Sequence, residues 1–226
     1  MKYKHLLFDL DGTLFDFQKS EEKALACVFN DYLLQYDNSV LDLYRAINHE
    51  LWARLEKGEY DVDTVQVLRF ETLFKRLEIE VSAECFNDEY LNRLIIYPYL
   101  NNGAFDVCKC CFHKGYKIHI VTNGKAEIQI GRCRASKICN LIANIFISDT
   151  IGYTKPNVKF FEHVLDNLDI SSKDELLIIG DSLGSDVQGG ENIGIDVCWY
   201  NVEGKNVGSF SPKYIIGSFS ELKTIL

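Results

Sequence analysis

Six short apolar runs punctuate the chain, at His5 to Phe8, Lys117 to Val121, Ile145 to Ser148, Leu176 to Ile179, Ile195 to Trp199 and Lys213 to Ile216. Each is nearly continuous in hydrophobicity, as expected of strands covered on both faces. Between the later runs the spacing turns helical: Phe160, Phe161, Val164, Leu165 and Leu168 share one helix face. Alternating strands and helices predict an α/β fold, a doubly wound parallel sheet with helices on both sides. The interval from Asp16 to Pro98 breaks this rhythm. It reads as helix throughout, with an N-cap expected at Ser20 and further helices at Val40 to Lys57, Asp63 to Leu77 and Ala83 to Ile96. We therefore expect an α/β core from residues 1–15 and 99–226, interrupted by an inserted α-helical subdomain at 16–98. Pro98 and Asn101-Asn102-Gly103 mark the return.

Composition narrows the function. Of 226 residues, 47% are hydrophobic and 25% charged, an ordinary globular balance. The net charge of −9 has the wrong sign for gripping a nucleic-acid polymer. Residues 16–98 hold 17 acids and 9 bases, so nearly all the excess charge belongs to the insertion. No apolar stretch approaches the roughly 20 residues of a membrane span. Asp9 and Asp11 interrupt the first apolar run before a signal-peptide core could form. We expect a cytoplasmic protein, monomer or homodimer, whose eight cysteines are reduced thiols.

In an open parallel sheet the reactive groups follow the carboxyl ends of the strands. There the chain carries Asp9-Leu10-Asp11-Gly12-Thr13, Thr122-Asn123-Gly124, Lys155-Pro156 and Asp181-Ser182, with Asp186 five residues past Asp181. Hard carboxylate oxygens suit Mg²⁺, and the ion together with a lysine can neutralise a phosphoryl group in transfer. One carboxylate can attack phosphorus. A second, two residues along an extended strand end, points the same way and can protonate the leaving alcohol. Gly12 and Gly124 permit close backbone approach to phosphate, and helix N–H groups after Gly124 could cradle it.

These four segments, in this order, resemble the motifs of the haloacid dehalogenase superfamily and its phosphatase branch. The inserted helices are similar to the family's mobile cap, which closes over the core, excludes water and selects the leaving group. The resemblance implies that Asp9 is the nucleophile and Asp11 the general acid and later base. It implies Mg²⁺ held by Asp9, the Asp11 carbonyl and Asp181, with Asp186 directly on the metal or one layer out. Thr122, Asn123 and Lys155 would bind the phosphoryl group. Dehalogenases of the superfamily lack an acid at the position of Asp11, which favours a phosphatase. Gly152-Tyr153-Thr154-Lys155-Pro156, Gly180 through Gly190, Gly194-Ile195-Asp196 and Cys198-Trp199-Tyr200-Asn201 are similar to bacterial 5′-nucleotidases, including those acting on noncanonical pyrimidine nucleotides.

The expected function is thus a Mg²⁺-dependent phosphomonoester hydrolase acting through an aspartyl phosphate, with nucleoside 5′-monophosphates as substrates. Sugar phosphates, phosphoglycolate, a phosphomutase reaction and a catalytically silent binding protein are the alternatives. An acidic insertion suits a small monoester with an uncharged leaving group better than a polyanion. Gly180 to Gly184 also reads as a serine-hydrolase elbow, but all five histidines precede Ser182, against the order that site needs. Cys108, Cys110, Cys111 and His113 lack the paired ligand spacing of a zinc site and are expected in the core. Neither a P-loop nor a dinucleotide fingerprint is present. The aromatics of the insertion, among them Phe17, Tyr32, Tyr36, Tyr44, Trp52, Tyr60, Phe70 and Phe74, are expected to be core rather than a base-stacking pocket.

Overall fold

A computed structural model of the chain describes residues 2–226. Strand β1 (His5–Phe8) is followed by four helices, α1 (Phe17–Asp31), α2 (Asn38–Glu56), α3 (Val62–Leu77) and α4 (Ala83–Ile96). The chain continues through α5 (Ala104–His113), β2 (Lys117–Thr122), α6 (Ala126–Ala135), β3 (Ile142–Ile147), the single turn α7 (Ser148–Ile151) and α8 (Val158–Asp166). Then come β4 (Leu176–Gly180), a π-helical turn over Leu183–Val187, α9 (Gln188–Ile193), β5 (Asp196–Tyr200), β6 (Tyr214–Ile216) and α10 (Phe219–Ile225). Two compact units result, Met1–Phe17 with Tyr99–Leu226, and Gln18–Pro98.

The first unit is a six-stranded, all-parallel sheet in the order β3-β2-β1-β4-β5-β6. Strand alternation splits its apolar residues between two cores. Leu6, Phe8, Ile118, Ile120, Leu177 and Ile179 face Val107, Cys108 and Cys111 of α5 and Leu222 of α10. Leu7, Val121, Ile178, Val197 and Trp199 face Phe160, Phe161 and Val164 of α8. The sheet is doubly wound: the chain steps outward from β1 through β2 to β3, then returns to the other side of β1 at β4. This reversal opens a crevice beyond the carboxyl ends of β1 and β4, where such folds bind ligands.

Element limits differ from the sequence reading in two instructive places. Strand β3 begins at Ile142, three residues before its apolar run, because it lies at the sheet edge and exposes Ala143 and Asn144. Ser20 does not cap α1. The helix starts at Phe17, directly after Phe15 bridges to Leu100, and Ser20 is buried one turn inside it.

In the second unit, Asp37, Asp61 and Ser82 cap α2, α3 and α4 by accepting backbone N–H bonds. Tyr44, Phe70, Phe74, Phe86 and Tyr90 pack together in its core, Tyr44 stacked on Phe70 and the other pairs tilted or edge-to-face. The buried Arg69 guanidinium donates to Asn87 Oδ1 at 2.8 Å and lies over the Tyr90 ring. All eight cysteines are free thiols. Burial raises the Cys108 thiol pKa and pushes that of Cys111 up to about 12. No helix among the described residues is long and apolar enough to cross a membrane.

One buried pair yields a stability prediction. His5 Nδ1 lies 3.0 Å from His119 Nε2, and Asn144 Nδ2 lies 3.1 Å from His119 Nδ1. With the Asn144 amide donating, His119 Nδ1 accepts and Nε2–H donates to His5, so both rings are held neutral. Burial, with His5 and Lys117 adding to it, pulls His119 down to about 4. A depressed histidine pKa means that the unfolded chain binds more protons between pH 6.5 and 4, so this contribution to stability is lost as pH falls through that window. The expected loss is up to about 3 kcal/mol. Urea denaturation at pH 7.5 and 4.5 checks it: His119→Gln should remove this part of the pH dependence, and an unchanged dependence would refute the assignment.

Candidate active site

The crevice at β1 and β4 gathers charge. The Asp9 N–H donates to Ile179 O at 2.9 Å, which places its side chain beside the end of β4 and Asp181. Carboxylate oxygens of Asp9, Asp181 and Asp186 all lie within 4.8 Å of one another. The Lys155 ammonium is buried among them, at 2.7 Å from Asp9 Oδ1, 2.6 Å from Asp186 Oδ1 and 2.9 Å from Val121 O. Its three N–H bonds are thereby all committed. Burial pulls the Lys155 pKa down, but Asp186 and Asp9 outweigh it and the net shift is upward.

The acids respond the other way. Burial pushes Asp9 well above the ordinary carboxyl range; Lys155 opposes this, while Asp186 and Asp181 reinforce it. Asp181 is pushed up to about 7 by burial and by Asp186, against a 3.0 Å hydrogen bond from Thr13 Oγ1. With all three acids ionised, as in the metal-bound form, three carboxylates and one ammonium would leave a net charge of −2 in a desolvated place, and without an ion the upward shifts of Asp9 and Asp181 express that repulsion. That deficit of positive charge and the hard oxygen donors fit a divalent cation such as Mg²⁺.

Local geometry explains the spacing of the motif residues. Gly12 has φ +87°, and a Cβ there would collide with the Asp181 carboxylate. Asn101 Nδ2 contacts the carbonyls of Gly12, Thr13 and Phe15 and pins that loop. Asn123 and Lys155 exchange two bonds, Asn123 Nδ2 donating to Lys155 O at 3.0 Å and Lys155 N–H to Asn123 Oδ1 at 2.9 Å. The Asn123 side chain therefore fixes the lysine's backbone. Asp186 uses both oxygens, Oδ1 for Lys155 and Oδ2 for the Ser182 N–H at 3.1 Å. Trp199 Nε1 donates to Asp181 O.

Two expectations need correction. Two of the N–H groups after β2 are already taken and are not offered to a phosphate: Gly124 N–H donates to Ser148 Oγ at 3.1 Å and Ala126 N–H to Asp149 Oδ2 at 3.1 Å. For the buried Gly124 N–H an internal acceptor is the expected outcome. Second, the Asp11 carboxylate is engaged by two residues absent from the sequence reading. Gln129 Nε2 donates to Asp11 Oδ2 at 2.9 Å, and Arg132 Nη1 stands 2.6 Å from Asp11 Oδ1 as an ion pair. Gln129 Nε2 also donates to Thr122 Oγ1 at 3.1 Å. The available signal was a glutamine and an arginine three apart on the helix after Thr122-Asn123-Gly124.

A doubly wound sheet with these groups at its switch point defines a hydrolase of the haloacid dehalogenase-like family. The sequence profile of that family matches residues 6–200, and the chain belongs to it. Over its full length the chain is 35% identical to the HAD-hydrolase YfnB of Bacillus subtilis, covering 96% of that protein. The crystal structure of YfnB with magnesium bound superposes with a TM-score of 0.94, over 100% of this chain and 99% of the other. Pyrimidine 5′-nucleotidase PynA of Streptococcus pneumoniae is 33% identical over 98% of this chain and 94% of its own. Pyrimidine 5′-nucleotidase YjjG of Escherichia coli is 28% identical over 100% of this chain and 99% of its own.

Proposed function

We propose that the protein is a Mg²⁺-dependent phosphomonoester hydrolase that forms an aspartyl phosphate on Asp9, with nucleoside 5′-monophosphates as its substrates. The observation that carries the chemistry is the buried group of Asp9, Asp181 and Asp186 around Lys155. The substrate class is supported by the likeness to PynA and YjjG, both named pyrimidine 5′-nucleotidases.

Asp9 and Asp181, with the Asp11 carbonyl, would hold Mg²⁺, which when bound supplies positive charge to the equatorial phosphoryl oxygens. Asp186 fixes Lys155 through Oδ1 and accepts the Ser182 N–H through Oδ2, and its remaining lone pairs would place it on the ion or one layer out. An Asp9 oxygen attacks phosphorus; the new P–O bond forms as the ester P–O bond breaks, and Asp11 gives a proton to the departing nucleoside oxygen. Asp11 then takes a proton from water, whose oxygen attacks phosphorus and releases Asp9 as a carboxylate. The Thr122 hydroxyl donates to a phosphoryl oxygen, and Lys155 does so by exchanging its N–H bond to Asp9 Oδ1 as Asp9 turns to phosphorus, with Asn123 holding the Lys155 backbone in register.

Phosphate release from nucleoside, sugar and small-acid monophosphates, with Mg²⁺ and after chelation, tests this reading. The expected result is metal-dependent release with nucleoside monophosphates preferred, and little turnover of diphosphates and triphosphates. Preference for sugar phosphates would overturn the substrate class, interconversion of isomers without net release would indicate a mutase, and no release would overturn the enzyme reading. Ion binding has its own readout. Mg²⁺ at about 100 times its Kd should stabilise the fold by about 2.7 kcal/mol. Asp181→Asn should remove most of that gain in a thermal melt, and a full gain would exclude Asp181 as a ligand.

A further inference from the structure

Helix α6 turns a fully polar network toward the two groups that must have fixed proton roles. Gln129 and Arg132 are both buried. Arg132 Nη1 donates to Gln129 Oε1 at 3.0 Å. Arginine has no acceptor atom, so this contact fixes the Gln129 amide with its oxygen toward Arg132 and its NH₂ toward the site. The two Nε2 hydrogens are then assigned, one to Asp11 Oδ2 and one to Thr122 Oγ1. Because Thr122 Oγ1 accepts from Gln129, its own O–H is left to donate. Gly124 completes the fit, since a Cβ there would stand 2.9 Å from Gln129 Nε2.

Arg132 sits there at a cost. Its Nε and Nη2 are buried without hydrogen-bond partners, and the guanidinium lies over the Phe15 ring at 4.6 Å. Buried unpaired donors disfavour folding, so the fold alone does not account for an arginine at this place. What its position does secure is the Asp11 carboxylate and the sense of the Gln129 amide.

We propose that Gln129, oriented by Arg132, is a positioning residue for phosphoryl transfer: it aims the Asp11 carboxyl at the leaving-group oxygen and keeps the Thr122 hydroxyl a donor toward the phosphoryl group. This inference rests on the phosphatase reading above. Its consequence depends on the leaving group. A nucleoside alcohol needs the proton that Asp11 delivers, whereas p-nitrophenolate leaves without one.

The experiment is rapid-quench measurement of phosphoenzyme formation from a nucleoside monophosphate and from p-nitrophenyl phosphate, with Mg²⁺. Gln129→Met is expected to slow the first by about 100-fold, within the range for losing a positioned acid. The second should slow by less than about 10-fold, the worth of one neutral hydrogen bond. Gln129→Glu keeps the shape and can pair with Arg132, yet cannot donate to Asp11 or Thr122 when ionised, so it should show the same asymmetry even if Gln129→Met fails to fold. Arg132→Lys, which retains a donor for Gln129 Oε1, should keep more activity on the nucleotide than Arg132→Met. Equal losses on both substrates, or no loss in a folded variant, would overturn the positioning role while leaving the phosphatase reading intact. An inactive wild-type protein would overturn both.

Discussion

Asp9→Asn is expected to lower kcat for phosphate release by about 10⁵-fold, the scale seen when a covalent nucleophile is removed. The substitution keeps size and shape but leaves an amide that cannot form the acyl phosphate. The fold should survive, because Lys155 retains Asp186 and the Val121 carbonyl as partners. Removing one of three crowded, desolvated carboxylates also relieves repulsion from Asp186 and Asp181. Two measurements therefore belong together: phosphate release, expected to vanish into background, and a thermal melt, expected to stay within a few degrees of wild type. Activity near the wild-type level would remove Asp9 from the reaction.

Lys155→Met should damage both activity and stability. Its ammonium is the cation that contacts Asp9 and Asp186 together, each below 3 Å and each buried. Methionine fills similar volume but leaves two carboxylates unpaired in a desolvated site, a loss of about 3–5 kcal/mol for a broken buried pair. The destabilisation should be smaller at pH 5 than at pH 7.5, since acids already pushed upward by burial can escape the charge by taking a proton. Catalytically, losing a preorganised charge at the phosphoryl oxygens should cost about 10²–10³ in kcat. A variant that melts like wild type at pH 7.5 would contradict the paired geometry. One that melts lower but turns over normally would show that Lys155 is structural only.

Much of the core was legible because its strands announce themselves. Leu176 to Ile179 and His5 to Phe8 are apolar on both faces, and a parallel sheet buried on both sides demands that pattern. Edge strand β3 is harder to read, since its solvent-exposed Ala143 and Asn144 dilute the signal. Asp9 and Asp181 are readable for a related reason: each comes directly after an apolar strand, with Asp186 five residues past Asp181 and Lys155 in the loop beyond β3, and strand ends in an open α/β sheet converge. Gln129 and Arg132 escaped notice because they lie on a helix whose other positions carry little hydrophobic pattern. Their importance arises from their contacts with Asp11, beyond β1, and Thr122, at the end of β2, which no local spacing reports. The same holds for the occupied N–H groups of Gly124 and Ala126, whose acceptors come from Ser148 and Asp149 on another element. The asparagines divide along this line too. Asn101 marks a turn in sequence, yet in the fold it is the clamp on the Gly12 to Phe15 loop.

The central claim is a covalent phosphoryl group on Asp9. Incubation of the protein with Mg²⁺ and a nucleoside monophosphate labelled in its phosphate, quenched in acid within the first turnover and digested, tests it most directly. The account predicts acid-stable, alkali-labile label on the peptide containing Asp9, absent from Asp9→Asn and from the chelated enzyme. Turnover of the same substrate with no trapped label, or with label on any other residue, would contradict it.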